Sequence, residues 1–76
     1  MKLEDKKTIE DVRKAMATLS IITPFTYPLL MVPLSIREDI NDYLVTNGIA
    51  ISVNPEMWKS LEFKQKLFVL MHVWLH

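Results

Sequence analysis

Tyr43 to Val53, YLVTNGIAISV, is the stretch whose reading decides the fold. Two β-prone runs, Tyr43-Leu44-Val45-Thr46 and Ile49-Ala50-Ile51-Ser52-Val53, flank Asn47-Gly48. Asn-Gly in that setting is the strongest short hairpin signal, because both residues tolerate the positive φ that a type I′ turn requires. A β-hairpin over 43–53 follows, with Asn47 and Gly48 in its turn. Gly48 is the single glycine of the chain, and a backbone role is expected of it. Two strands alone are marginally stable in water, so the hairpin is expected to lie on helices or to extend a partner's sheet.

Downstream, Asn54-Pro55-Glu56 reads as an N-cap, a proline at the first helical position and an acid in the first turn, predicting a short helix from Pro55 to Lys59. Ser60 is expected to cap the last helix, 61–76, with Leu61 and Glu62 in its opening turn. Phe63, Leu67, Leu70, Met71 and Trp74 form one side of that helix. Phe68, Val69, Val73 and Leu75 cover most of the rest, so it is expected to be the most buried element.

Upstream, Arg37 to Asp42 is polar. Pro24 to Ile36, PFTYPLLMVPLSI, cannot form one regular helix, since Pro28 and Pro33 each remove an amide donor and clash with the preceding turn. A short helix near Leu29 to Val32 is expected, with Phe25, Tyr27, Leu29, Leu30 and Met31 in the core or an interface. Thr8 and Asp11 resemble a capping box, so a first helix is expected to start there, with 1–7 disordered before it. Ile9, Val12, Met16 and Leu19 recur at helical steps as an apolar stripe. Glu10, Arg13 and Lys14 should face water, and Pro24 ends the helix by Thr23. The fold class is therefore α+β: N-terminal helix, proline-broken helix, hairpin, short helix and C-terminal helix.

Seventy-six residues make one small domain, 1–76, of a size that buries only about 60 to 65% of the surface its unfolded chain exposes. Half of them are apolar, which predicts that another copy or another protein covers part of the surface. Acidic and basic residues balance at nine each, so no global field favours nucleic acid. Without cysteine there is no disulfide framework and no thiolate metal site. The charged start, MKLEDKKTIEDVRK, has no apolar core of a secretory signal, and a cytoplasmic location is expected. Pro24, Pro28 and Pro33 interrupt the weakly charged tract Ala15 to Ile36, so no membrane span is expected.

The chemistry-bearing residues are His72 and His76, the only histidines. Spaced by four on a helix, their rings stand one turn apart on one face and can share a metal ion. Two histidines on an apolar helix also read as hydrogen-bonded core or interface residues. An imidazolium at His76 would in addition favour the negative end of the helix dipole by about 0.3 to 1 kcal/mol.

The segment resembles the active-site helix of zinc metallopeptidases with the HExxH signature. More narrowly, Thr46-Asn47-Gly48, then Ile51-Ser52-Val53-Asn54-Pro55, then Phe68-Val69-Leu70-Met71-His72 resembles a family of bacterial and phage metallopeptidases, over about Asp11 to His76. Its members read T-D-G, a strand ending in N-P, a short helix, then fvLxHExxH. Asn47 stands where they carry aspartate, and both fit the turn.

The resemblance implies a zincin-like unit with zinc on His72 and His76, and a strand, Ile49-Ala50-Ile51-Ser52-Val53, that lines a cleft and pairs with an extended peptide. Pairing of the hairpin edge with another copy is the structural alternative. Two departures weigh against catalysis. Val73 stands where the family has its general-base glutamate, and an aliphatic group can neither take a proton nor orient a water. A catalytic zinc takes three protein ligands, and with His76 last no further ligand is expected beyond its own carboxylate. The expected function is a non-catalytic, metallopeptidase-like remnant that binds another protein or another copy, with a residual zinc site as an option. The alternative is an N-terminal fragment of a zinc-dependent metallopeptidase inactivated at Val73.

Overall fold

In a computed structural model, which describes residues 3–75, the first helix, α1 (Leu3–Ile22), begins well before Thr8. Thr8 is not its cap. The Thr8 hydroxyl donates to the carbonyl of Glu4 at 2.9 Å, one turn back inside the helix, so residues 3–7, expected to be disordered, are helical. The buried stripe is Val12, Ala15, Met16 and Leu19, close to the expected one. Arg13 departs from expectation. It is half-buried, and its Nη1 donates to the Leu30 carbonyl at 2.9 Å, tying α1 to the segment that follows.

That segment is a 3₁₀-helix, Pro24–Met31, longer than the turn expected near Leu29. Pro24 supplies the preset φ at its start, and Pro28, which has no amide hydrogen to donate, lies inside it. Both the amide and the hydroxyl of Thr26 donate to the Thr23 carbonyl, at 3.0 and 2.8 Å. Of the five residues expected in core or interface, Leu29 is buried and Leu30 half-buried, whereas Phe25, Tyr27 and Met31 are exposed.

The sheet has three strands, one more than expected. β1 (Leu34–Ile36), β2 (Leu44–Thr46) and β3 (Ile51–Val53) stand in the order β1-β3-β2. β2 and β3 pair antiparallel with Leu44 opposite Val53, which is the expected hairpin, and β1 pairs parallel to β3 with Leu34 opposite Ile51. The turn is not type I′. Gly48 has φ +90°, but no other described residue has positive φ, so Asn47 keeps an ordinary backbone. A wider loop over 47–50 is closed by side chains: Asn47 Oδ1 accepts from the amides of Ile49 and Ala50, both at 2.9 Å, and Thr46 Oγ1 accepts from Gly48 N at 3.1 Å. An Asx-type turn has taken the place of the predicted one.

α2 (Pro55–Lys59) is as expected, with the Asn54 side chain accepting from the amides of Glu56 and Met57. Asn54 is itself buried, and its Nδ2 donates to the Ile40 carbonyl at 2.9 Å. Ser60 closes α2, donating to the Met57 carbonyl, rather than opening the next helix. α3 (Phe63–Trp74) is capped instead by Glu62 and Gln65, each side chain bonding the other's backbone.

The core gathers between α1, α2, α3 and one face of the sheet: Val12, Met16, Leu29, Leu44, Ile51, Val53, Trp58 and Leu70. α3 is not the most buried element. Only Leu70 is fully buried in it, whereas α1 buries four residues. The result is a small α+β domain with a three-stranded mixed sheet. No helix among the described residues is long and apolar enough to cross a membrane.

Candidate functional site

The C-terminal half of α3 and strand β2 enclose a half-open groove of about 560 Å³. His72, Val73 and Trp74 form its helical wall, Leu44 to Thr46 and Gly48 its strand wall, and Leu29, Val32 and Ile51 part of its floor. His72 is exposed and Val73 half-buried, so the residue at the general-base position of the HExxH pattern presents an isopropyl group beside the first histidine.

Sequence reading missed Asp42, which lines the same groove while its Oδ1 accepts from the Tyr43 amide at 2.8 Å. It lies in a polar loop with no motif around it, and only the approach of β2 to α3 brings it into the same groove as His72.

The strand expected to accept a peptide is placed differently. Ile51, Ser52 and Val53 form β3, whose two sides are taken by β1 and β2, so it has no edge to offer. Ile49 and Ala50 belong to the loop, with Ile49 exposed. The antiparallel edge beside the groove is β2. Asn47 and Gly48 are in the turn, as expected.

The zinc ligand set implied by the HExxH resemblance is incomplete among the described residues. No group of three or more His, Cys, Asp or Glu side chains stands together to hold a metal ion, and His76 lies outside the described residues. His72 and Asp42 alone fall short of the three protein ligands of a catalytic zinc.

A second groove, of about 500 Å³, is charged where the first is apolar. Glu4, Asp5, Asp11, Glu38 and Glu56 line it together with Lys7, Lys59 and Lys66. At its base, Asp11 Oδ2 accepts from Trp58 Nε1 at 2.9 Å and from Lys66 Nζ at 2.5 Å. The Lys66 ammonium also lies 5.3 Å from the centre of the Trp58 ring, within cation–π range. Partial burial pushes the Asp11 carboxyl up, but the hydrogen bonds from Lys66 and Trp58 and the Lys66 charge outweigh it and hold the group below the usual aspartate value. Asp11 Oδ2 thus meets both Trp58 and Lys66, which makes this base a joint between α1, α2 and α3.

Neither protein-family models, nor curated proteins, nor solved structures include a match to this chain.

Proposed function

We propose that the chain is a non-catalytic protein-interaction module, a metallopeptidase-like remnant whose binding surface is the groove between β2 and α3. The observation that carries this reading is the pairing of His72 with Val73 on the groove wall. A peptidase of the HExxH type needs a carboxylate there to take a proton from the attacking water, and Val73 cannot. The groove keeps what binding needs: apolar walls from Leu44, Val45, Val73 and Trp74, and at its rim a strand that pairs on one side only. The partner is another protein or another copy of this chain, and neither nucleic acid nor a membrane span enters the proposal. Location in the cytoplasm is part of the same proposal.

A second reading, an inactivated fragment of a zinc-dependent metallopeptidase, is favoured by the position of His72 on the wall of this same groove. One experiment separates the two. The chain and a Val73→Glu variant extended at its C-terminus by a segment carrying a third zinc ligand are incubated with zinc and a peptide mixture, and cleavage is followed by mass spectrometry. Neither protein should cleave, while peptides selected for binding to the chain should shift the amide resonances of Val45, Thr46 and Val73. Hydrolysis by the variant would establish the second reading, and peptides that perturb only residues away from the groove would refute the binding site.

A further inference from the structure

We propose that Asn47 is a modification site, at which the side-chain amide cyclises onto the backbone nitrogen of Gly48 and opens in water to a carboxylate. The proposal goes beyond the interaction-module reading and does not rest on it.

The chain has three asparagines, Asn41, Asn47 and Asn54, and their surroundings differ in the one respect that matters. Cyclisation needs the amide nitrogen of the following residue as its nucleophile. Asn54 has no such partner, because Pro55 follows it without an N–H, and its Nδ2 is tied to the Ile40 carbonyl at 2.9 Å. Asn41 precedes Asp42, whose side chain crowds the approach. Asn47 precedes Gly48, where no side chain stands in the way.

The loop between β2 and β3 supplies the rest. Asn47 and Gly48 are both exposed, and no atom beyond its chain neighbours lies within 4 Å of the place a Cβ would take on Gly48, so a five-membered ring has room to form. The Gly48 N–H is not held by the sheet. It donates at 3.1 Å to the hydroxyl of Thr46, an exposed side chain that can rotate away. Asn47 Oδ1 accepts from the amides of Ile49 and Ala50, both at 2.9 Å. Those two donors face the atom on which negative charge gathers when the nitrogen adds to Cγ. No hydrogen bond among the described residues engages Nδ2, which is the group that leaves.

The Gly48 nitrogen gives up its hydrogen as the N–Cγ bond forms, and Nδ2 departs with that proton as ammonia, leaving a cyclic imide. Water, the co-reactant, then adds to either imide carbonyl, breaks its bond to nitrogen and returns a hydrogen to that nitrogen. Attack at Cγ restores the main chain with aspartate at this position. Attack at the other carbonyl routes the chain through Cγ as isoaspartate. Nothing is oxidised or reduced, and either product replaces a neutral amide by a carboxylate. Thr46 and Gly48 belong to the strand wall of the groove between β2 and α3, so the new charge arrives beside it. In the aspartate product the bonds from Ile49 and Ala50 become charge-assisted and stronger.

The full chain, folded and in denaturant, is held at neutral pH and physiological temperature and digested with trypsin at intervals. Peptide 38–59 carries all three asparagines, so fragmentation compares them within one molecule. In the folded chain Asn47 should gain the mass of an amide-to-acid exchange at least about tenfold faster than Asn41, with Asn54 unchanged. An isoaspartate-specific methyltransferase should label part of the product. Conversion should quicken from about pH 7 to about pH 9, since the attacking nitrogen has to lose its proton. Gly48→Ala should slow it at least about tenfold in denaturant too, where strain at the folded φ of +90° plays no part. Conversion confined to the denatured chain, or no faster at Asn47 than at Asn41, would overturn the proposal. Asn47→Asp reads the aspartate product directly: the fold should be retained and the amide resonances of Ile49 and Ala50 should move downfield. Loss of those two hydrogen bonds in the variant would overturn the placement of the charge in the loop.

Discussion

The two halves of α3 solve the same problem in opposite ways. At its N-terminal end Lys66 is turned inward, its side chain only 14% exposed, and its charge is spent on Asp11 and the Trp58 ring. Beyond Leu67 the helix carries no such charge, yet Phe68 and Leu75 face outward. The inward charge of α3 is used to join helices, and its apolar surface is left uncovered. An exposed apolar face points to a partner far better than a satisfied ion pair does, because the ion pair already has its partner.

The comparison breaks most severely if the joint is removed. Trp58→Ala deletes the largest fully buried side chain and leaves Asp11 and Lys66 without the ring between α1 and α3. Loss of about 3 to 5 kcal/mol is expected, as much as a core of this size supplies in total. Thermal denaturation of the variant should show no cooperative transition. A variant that keeps its transition within a few degrees of the parent would show that α3 is held by its apolar half instead.

Asp11→Asn tests the charge alone. It keeps the shape but leaves a mostly buried ammonium unpaired, for an expected loss of about 1 to 3 kcal/mol in chemical denaturation. The pH dependence has a definite sign. Asp11 is held below its ordinary value of 3.8 in the fold, so the unfolded chain binds its proton first as pH falls. Its contribution is complete above about pH 4 and is lost as pH drops through the lowered folded value. The Asn variant should be less stable at neutral pH and lose less than the parent on acidification below pH 4. Equal acid sensitivity in both would remove Asp11 from the account.

The smallest effect belongs to the other half. Phe68→Ser removes a ring that is mostly in water, so the stability of the monomer should change by no more than about 0.5 kcal/mol. A larger drop, measured at a concentration where the chain is monomeric, would mean that the outer face is packed and not free to dock.

Much of this fold is legible in local sequence. Asn54-Pro55-Glu56 specifies the start of α2 because each residue supplies one missing element of a helix N-terminus, and the β2–β3 pairing follows from β-prone runs either side of Asn47-Gly48. The turn type is not legible there, because Asn47 uses its side chain, not its backbone, to bend the loop. β1 escaped notice since a three-residue strand after Pro33 has too little pattern to separate from a coil, and its partner is distant in the chain. The candidate site divides in the same manner. His72 and Val73 are visible from motif spacing. Asp42 in the groove, and the Asp11–Lys66 and Asp11–Trp58 contacts across 55 and 47 residues, depend on tertiary placement that no local pattern encodes.

The position of β3 between β1 and β2 also sets an order of assembly. Closing β2 onto β3 encloses only residues 47–50, whereas bringing β1 alongside β3 encloses 37–50. Loop-closure entropy makes the second step dearer by on the order of 1 kcal/mol, and a hairpin forms in about 1 to 10 μs. The antiparallel pair is therefore the cheaper closure and is expected to form before β1 docks. Asn47 and Thr46, whose side chains hold that short loop shut, act on the whole sheet by deciding how soon its middle strand is ready.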